Sequence, residues 1–121
     1  MAERHVRERL KHMMEAVTAI ERLTVGKTLD DYTADPDLAA SVERYLERLS
    51  EASRHVPDAL KEKHGSVDWR GVEDMGNVLR HVYNQIVDHR IWQIVASDLA
   101  PLKAAILAII GEVGQEDSDD G

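Results

Sequence analysis

The chain is 121 residues long, enough for one domain that buries a real core without staples. It has no cysteine, which excludes disulfides and thiolate metal sites and suits a reducing compartment. The formal charge of −8 excludes a global basic footprint for nucleic acid, although Glu112, Glu116, Asp117, Asp119 and Asp120 carry five of those negatives and leave the rest at −3.

Phenylalanine is absent, and two Trp and three Tyr are the only aromatics, so the core has to be aliphatic. With 31% charged residues and three prolines, that balance favours helices. No apolar run reaches the ~18 residues that a membrane span needs. The start, Met1 to His5, is polar and lacks the apolar region of a signal peptide. The expectation is a soluble, cytoplasmic protein with no membrane contact.

The first helix is predicted from about Ala2 to about Val25, because Val6, Leu10, Met13, Val17, Ile20 and Leu23 or Thr24 recur at three- and four-residue steps. Gly26 is its natural stop. Arg4, Arg7 and Lys11 share one side of its first turns, with His5, Arg9 and His12 nearby. Such a strip can contact phosphates, but it also reads as a solvated face with Glu3 and Glu8 interleaved. A connector follows, with a short turn around Leu29 to Tyr32. Asp35-Pro36 is an N-cap with proline at the first helical position. The second long helix carries Leu38, Val42, Tyr45 or Leu46, Leu49, Ala52 and Val56, until Pro57 ends it. Glu51 in this helix is either an exposed carboxylate or, turned inward, a partner for Arg80 or His81.

Residues 57–65 read as a short helical piece closed by Gly65. Asp68 caps the next helix, Trp69 is a buried anchor, and this helix is expected to end near Tyr83 or Asn84. Met75, Leu79 and Val82 form its apolar stripe. Asn77 and His81 stack four apart, and Arg80 and Tyr83 lie three apart. Glycine at 76 costs about 1 kcal/mol against alanine inside a helix, so something is expected to approach the backbone there. Residues 84–87 read as a brief loop and Asp88 as the cap of the last helix, whose seam is Ile91, Val95, Leu99, Leu102, Ile106, Ile109 and Val113. Pro101 kinks it or starts a second segment. Gly111, Gly114 and the acidic stretch 115–121 are expected to be frayed or disordered, which leaves residues 1–114 as the single domain. The fold class is all-α, an antiparallel bundle of four to five helices.

His81 is the most suitable general acid or base, since imidazole titrates nearest neutrality, yet a lone histidine near a helix end is as readily an inert packed one. His5 and His12 lie seven apart, too far to share an ion unaided. No carboxylate and histidine stand at di-iron spacing, and no glycine-rich phosphate loop is present, so neither a metal nor a cofactor is expected.

Taken together, Ser50-Glu51-Ala52 before Val56-Pro57, Val67-Asp68-Trp69-Arg70, Asn77-Val78-Leu79-Arg80-His81-Val82-Tyr83, Ile91-Trp92 and Asp98-Leu99-Ala100-Pro101-Leu102 resemble the HepT-like ribonuclease domain of the HEPN superfamily. That domain is the toxin half of bacterial and archaeal MntA–HepT toxin–antitoxin modules, and the resemblance runs from about Val6 to Ile109. The family's signature is an arginine, four intervening residues, then His-x-Tyr. His81 matches its histidine, Tyr83 its tyrosine and Asn77 the asparagine that often follows the arginine, but the arginine position holds Gly76.

The resemblance implies metal-independent RNA cleavage by 2′-hydroxyl attack, with His81 moving the proton. It also implies a homodimer with a composite site, and a nucleotidyltransferase antitoxin that silences the toxin by adenylylating Tyr83. The missing cation is expected from Arg80, which is read as pointing to a different face from position 76, with a shared groove between subunits correcting the direction. Otherwise the domain survives as a weakened, dimeric partner of the nucleotidyltransferase.

Overall fold

In a computed structural model, the backbone is described for residues 2–81 and 85–120 and the side chains for residues 5–80 and 88–114. Helix α1, Ala2–Thr24, buries Val6, Leu10, Met13, Val17 and Ile20, the seam that its spacing predicts. Thr24 turns its hydroxyl onto the Ile20 carbonyl at 2.8 Å, and Gly26 at φ 72° ends the helix in the left-handed region that glycine enters without strain. The connector turn is a formed helix, α2, Leu29–Ala34. Thr28 caps it by accepting from the Asp31 amide while Asp31 accepts from the Thr28 amide, a reciprocal capping box that lowers the Asp31 pKa. Tyr32 of α2 is fully buried against Trp92, and its hydroxyl has no hydrogen-bond partner among the described residues.

Helix α3, Pro36–Arg54, starts where Asp35 accepts from the Leu38 amide, with proline at the first position. Between Tyr45 and Leu46, Leu46 takes the seam and is fully buried; Tyr45 stays half-buried at the edge. Helix α4, Asp58–Glu62, is one short turn. Helix α5, Trp69–His81, is capped by Asp68, whose carboxylate accepts from the Gly71 amide at 3.1 Å. Trp69 is the buried anchor expected, its indole N–H donating to the His64 carbonyl and the Lys61 ammonium 5.9 Å from the ring centroid.

Helix α6 is Gln85–Gln93, so residues 85–87 are helical rather than a loop, and Asp88 lies within the first turn instead of capping it. There it still meets the positive end of the peptide dipoles, which is what made it look like a start signal. A π-helical turn, Ile94–Asp98, separates α6 from α7, Leu99–Asp120, and in it the Leu99 amide donates to Ile94, five residues back. This widened turn sits just before Pro101, which has no N–H to donate and would press on the carbonyl four residues back in a regular helix. The predicted kink at Pro101 therefore takes the form of an extra residue, and Val95 falls out of the buried seam. Helix α7 continues through Gly111 and Gly114 rather than ending there.

α3 lies between α1 and α5, α1 also packs on α7, and α2 bridges α3 and α6. This is an all-α bundle built on four long rods, as expected. One expectation fails on length. The segment Asp88–Gly114 is long and apolar enough, by length and composition, to cross a membrane. Its apolar residues Ile91, Leu99, Leu102, Ile106, Ile109 and Val113 are nonetheless buried in the core of this fold.

Candidate active site

The described part of the signature segment, residues 76–81, lies on the last two turns of α5, and Ser50 of α3 fixes how α5 sits. The Ser50 hydroxyl, 1% exposed, donates to the Glu73 carbonyl at 2.8 Å and accepts from the Gly76 amide at 3.2 Å. Arg54, one turn further along α3, donates twice to the same Glu73 carbonyl, at 3.0 and 2.9 Å. The Glu73 carboxylate in turn pairs with the buried Lys61 ammonium. Something does approach the backbone at Gly76, and it is Ser50. A Cβ there would lie 3.3 Å from the Ser50 oxygen.

The same position corrects the reading of Arg80. Residues 76 and 80 are four apart and share a helix face, and the Arg80 Nη1 lies 3.6 Å from where a Cβ on Gly76 would be. The guanidinium thus folds back one turn over the glycine and needs no shared groove to turn it there.

Arg80 stands at one side of a groove of about 660 Å³ that crosses from α5 over α3 to α1. Arg44, Tyr45 and Arg48 of α3 and Arg9 and His12 of α1 also line it. Among the described residues, no carboxylate lies within ion-pair distance of Arg9, Arg44, Arg48 or Arg80. Glu15, Glu47 and Glu51 share the lining. Glu51 is exposed rather than turned inward, and its partners are His55 at 3.2 Å and Arg54 at 3.8 Å on its own helix, not Arg80. A second carboxylate column runs beside the groove: Glu43 has its pKa raised by partial burial, then by Asp88 and by Glu47 one turn along α3.

The side chain of His81 and the whole of Tyr83 lie outside the described residues; the backbone of His81 is the last position of α5, directly after Arg80. Asn77 is exposed on α5. On α1, Arg9 and His12 face the groove, whereas Arg7 and Lys11 of the predicted strip do not line it, and the Arg4 side chain lies outside the described residues. In the sequence neither Arg44 nor Arg48 is singled out, and Tyr45 stands only as an alternative to Leu46 in the seam. The available signal was two arginines four apart beside a tyrosine that the seam did not need. Among the described residues, no group of three or more His, Asp or Glu side chains is placed to hold a metal ion.

A family model described as Ribonuclease HepT-like matches residues 13–109. The chain is similar, at 31% identity over 104 residues, to a Methanocaldococcus jannaschii protein named "Gamma-glutamylcyclotransferase and putative RNase MJ0434", covering 86% of this chain and 47% of that longer protein. It is 31% identical over 94 residues to the "Probable ribonuclease HepT" of Thermococcus cleftensis, covering 78% of this chain and 86% of the relative. It is 26% identical over 101 residues to the "Putative RNase TTE0752" of Caldanaerobacter subterraneus, covering 84% and 90%. No solved structure matches it.

Proposed function

This chain belongs to the ribonuclease HepT-like family, and from that membership we propose that it is a metal-independent endoribonuclease, the toxin of a toxin–antitoxin pair in the cytoplasm. In this reading His81 takes the proton from a ribose 2′-hydroxyl, the oxygen attacks the adjacent phosphate, and the 5′-oxygen leaves with a proton. Arg80 meets the negative charge that builds on the phosphorane. Asn77 helps to hold the phosphate. The observation that carries the reading is the Arg80 guanidinium lying over Gly76, a cation where the signature arginine would begin.

Two copies pair to complete the site. Support for pairing comes from the outer face of α7, where Ala100, Ala104, Leu107, Ala108 and Gly111 are exposed and uncharged. A nucleotidyltransferase partner adenylylates Tyr83 and so places a bulky anion beside the catalytic histidine.

The test is incubation of the purified protein with tRNA and mixed RNA in chelator. Wild type is expected to cleave, His81→Ala to be inactive, and Arg80→Ala to lose about 10²–10³-fold in rate, the usual cost of removing one donor to a developing oxyanion. Gly76 itself favours a second reading, a catalytically weakened dimer that serves as the nucleotidyltransferase's partner. Absence of cleavage by wild type, together with tight binding to a nucleotidyltransferase encoded beside it, would establish that reading instead. A gain of activity in Gly76→Arg, whose new side chain must crowd Ser50 and displace Arg80, would point the same way.

A further inference from the structure

We propose that the groove across α1, α3 and α5 is a binding track for single-stranded RNA, in which Arg44 and Arg48 grip successive phosphates and Tyr45 stacks an unpaired base. The choice of RNA among polyanions rests on the ribonuclease reading; the track itself rests on the groove. Arg44 and Arg48 are four apart on α3, so they advance along the groove by about 6 Å on one face. Arg9 and His12 approach from α1 and Arg80 from α5, so arginines lie on both flanks of α3 and lead to the signature segment.

Four guanidiniums in one concave surface, with no carboxylate in ion-pair distance among the described residues, are costly to maintain by mutual repulsion, and a polyanion relieves it. Of the three glutamates in the lining, Glu51 is occupied by His55 and Arg54, which leaves Glu15 and Glu47 against four arginines and a histidine. Tyr45 gives up the core seam to Leu46 and keeps its ring at the groove, with the Arg48 guanidinium 5.5 Å from its centroid. An aromatic ring flanked by a cation is the element that holds unstacked bases in single-strand binders. A duplex offers no such base, because its bases are paired and stacked inside.

The experiment is fluorescence anisotropy on full-length protein with a labelled oligonucleotide of about 12 residues. The oligonucleotide is 2′-O-methylated throughout so that it binds but has no hydroxyl to cleave it, and is tested as a single strand and as a duplex over a salt series. Wild type should bind the single strand more tightly than the duplex. Arg44→Ala with Arg48→Ala should weaken binding about tenfold or more and lower the log–log salt slope by about 0.7 per arginine removed. Tyr45→Leu should weaken it about fivefold or more with the slope unchanged, and Tyr45→Phe should restore it. Arg22→Ala, outside the groove, should bind as wild type. Unchanged affinity and slope in the double arginine variant, duplex binding as tight as single strand, or displacement only by an oligoglutamate peptide and not by RNA would each overturn the proposal. Parallel digestion of unmodified RNA separates the two ideas. Cleavage with unaltered KM in the arginine variant sinks the track alone, whereas binding without cleavage by wild type sinks the nuclease reading alone.

Discussion

Two hollows of similar size, about 660 Å³ each, flank α5 and differ in their lining. On the α3 side the lining is arginine-rich and includes Arg80. On the other, between α5 and the α6–α7 rod, Val72, Met75, Val78, Leu79, Ile94 and Leu102 form the apolar part of a cleft that Asp68, Asp74, His89, Arg90 and Asp98 also line. One residue step on a helix turns about 100°, so Leu79 and Arg80, neighbours in sequence, belong to different hollows. Chemistry and cohesion are thereby carried by adjacent residues of one helix, and each can be altered with little effect on the other.

Arg80 and Leu79 break the comparison most sharply. Arg80→Ala, at an exposed position, should cost two to three orders of magnitude in cleavage rate and leave the urea unfolding midpoint within error. Leu79→Ala, at 8% exposure, should do the reverse. It should lower unfolding free energy by about 2–3 kcal/mol, at the lower end for a core leucine because the adjoining cleft lets neighbours relax, with per-molecule activity near wild type in the folded fraction.

Ser50→Ala sharpens the picture by acting on both sides together. It removes the hydroxyl that seats α5 on α3, so about 1–2 kcal/mol of stability should go, and cleavage should fall as well because Gly76 and Arg80 lose their fixed height over the groove.

The smallest effect is expected at Glu43. Its folded pKa is raised, so between the unfolded carboxylate's ordinary value and the raised one the folded state holds more protons, and stability falls as pH rises through that window. Glu43→Gln should flatten that slope and raise stability at neutral pH. The gain should stay under ~1 kcal/mol, because solvent still screens a side chain that is only partly buried. Urea titrations at several pH values would show the change.

Much of this was written in the sequence. The seams of α1, α3 and α7, the caps at Asp35 and Asp68 and the stop at Gly26 follow from periodicity and capping chemistry alone. The start of α6 was not legible, since Asp88 in a first turn and Asp88 before a first turn carry the same charge in the same dipole. At the site, Ser50 looked like any small residue of a helix, and only the fold brings it to a backbone 26 residues away. Arg44 and Arg48 are not singled out there, because nothing local says that α1 and α5 will rise on either side of them. His81 and Tyr83 rest on the family signature, with the His81 side chain and Tyr83 outside the described residues.

The surplus residue in the π-helical turn also fixes a length. Ile91 and Leu99 are eight apart, which would put them about 80° out of line in a regular helix, and the extra residue brings both inward. Removing one residue between 94 and 98 would keep that inner line but set Pro101 into an unbroken ladder, at a cost of about 3 kcal/mol. Insertions and deletions, usually the business of loops, are governed here by a proline inside a rod.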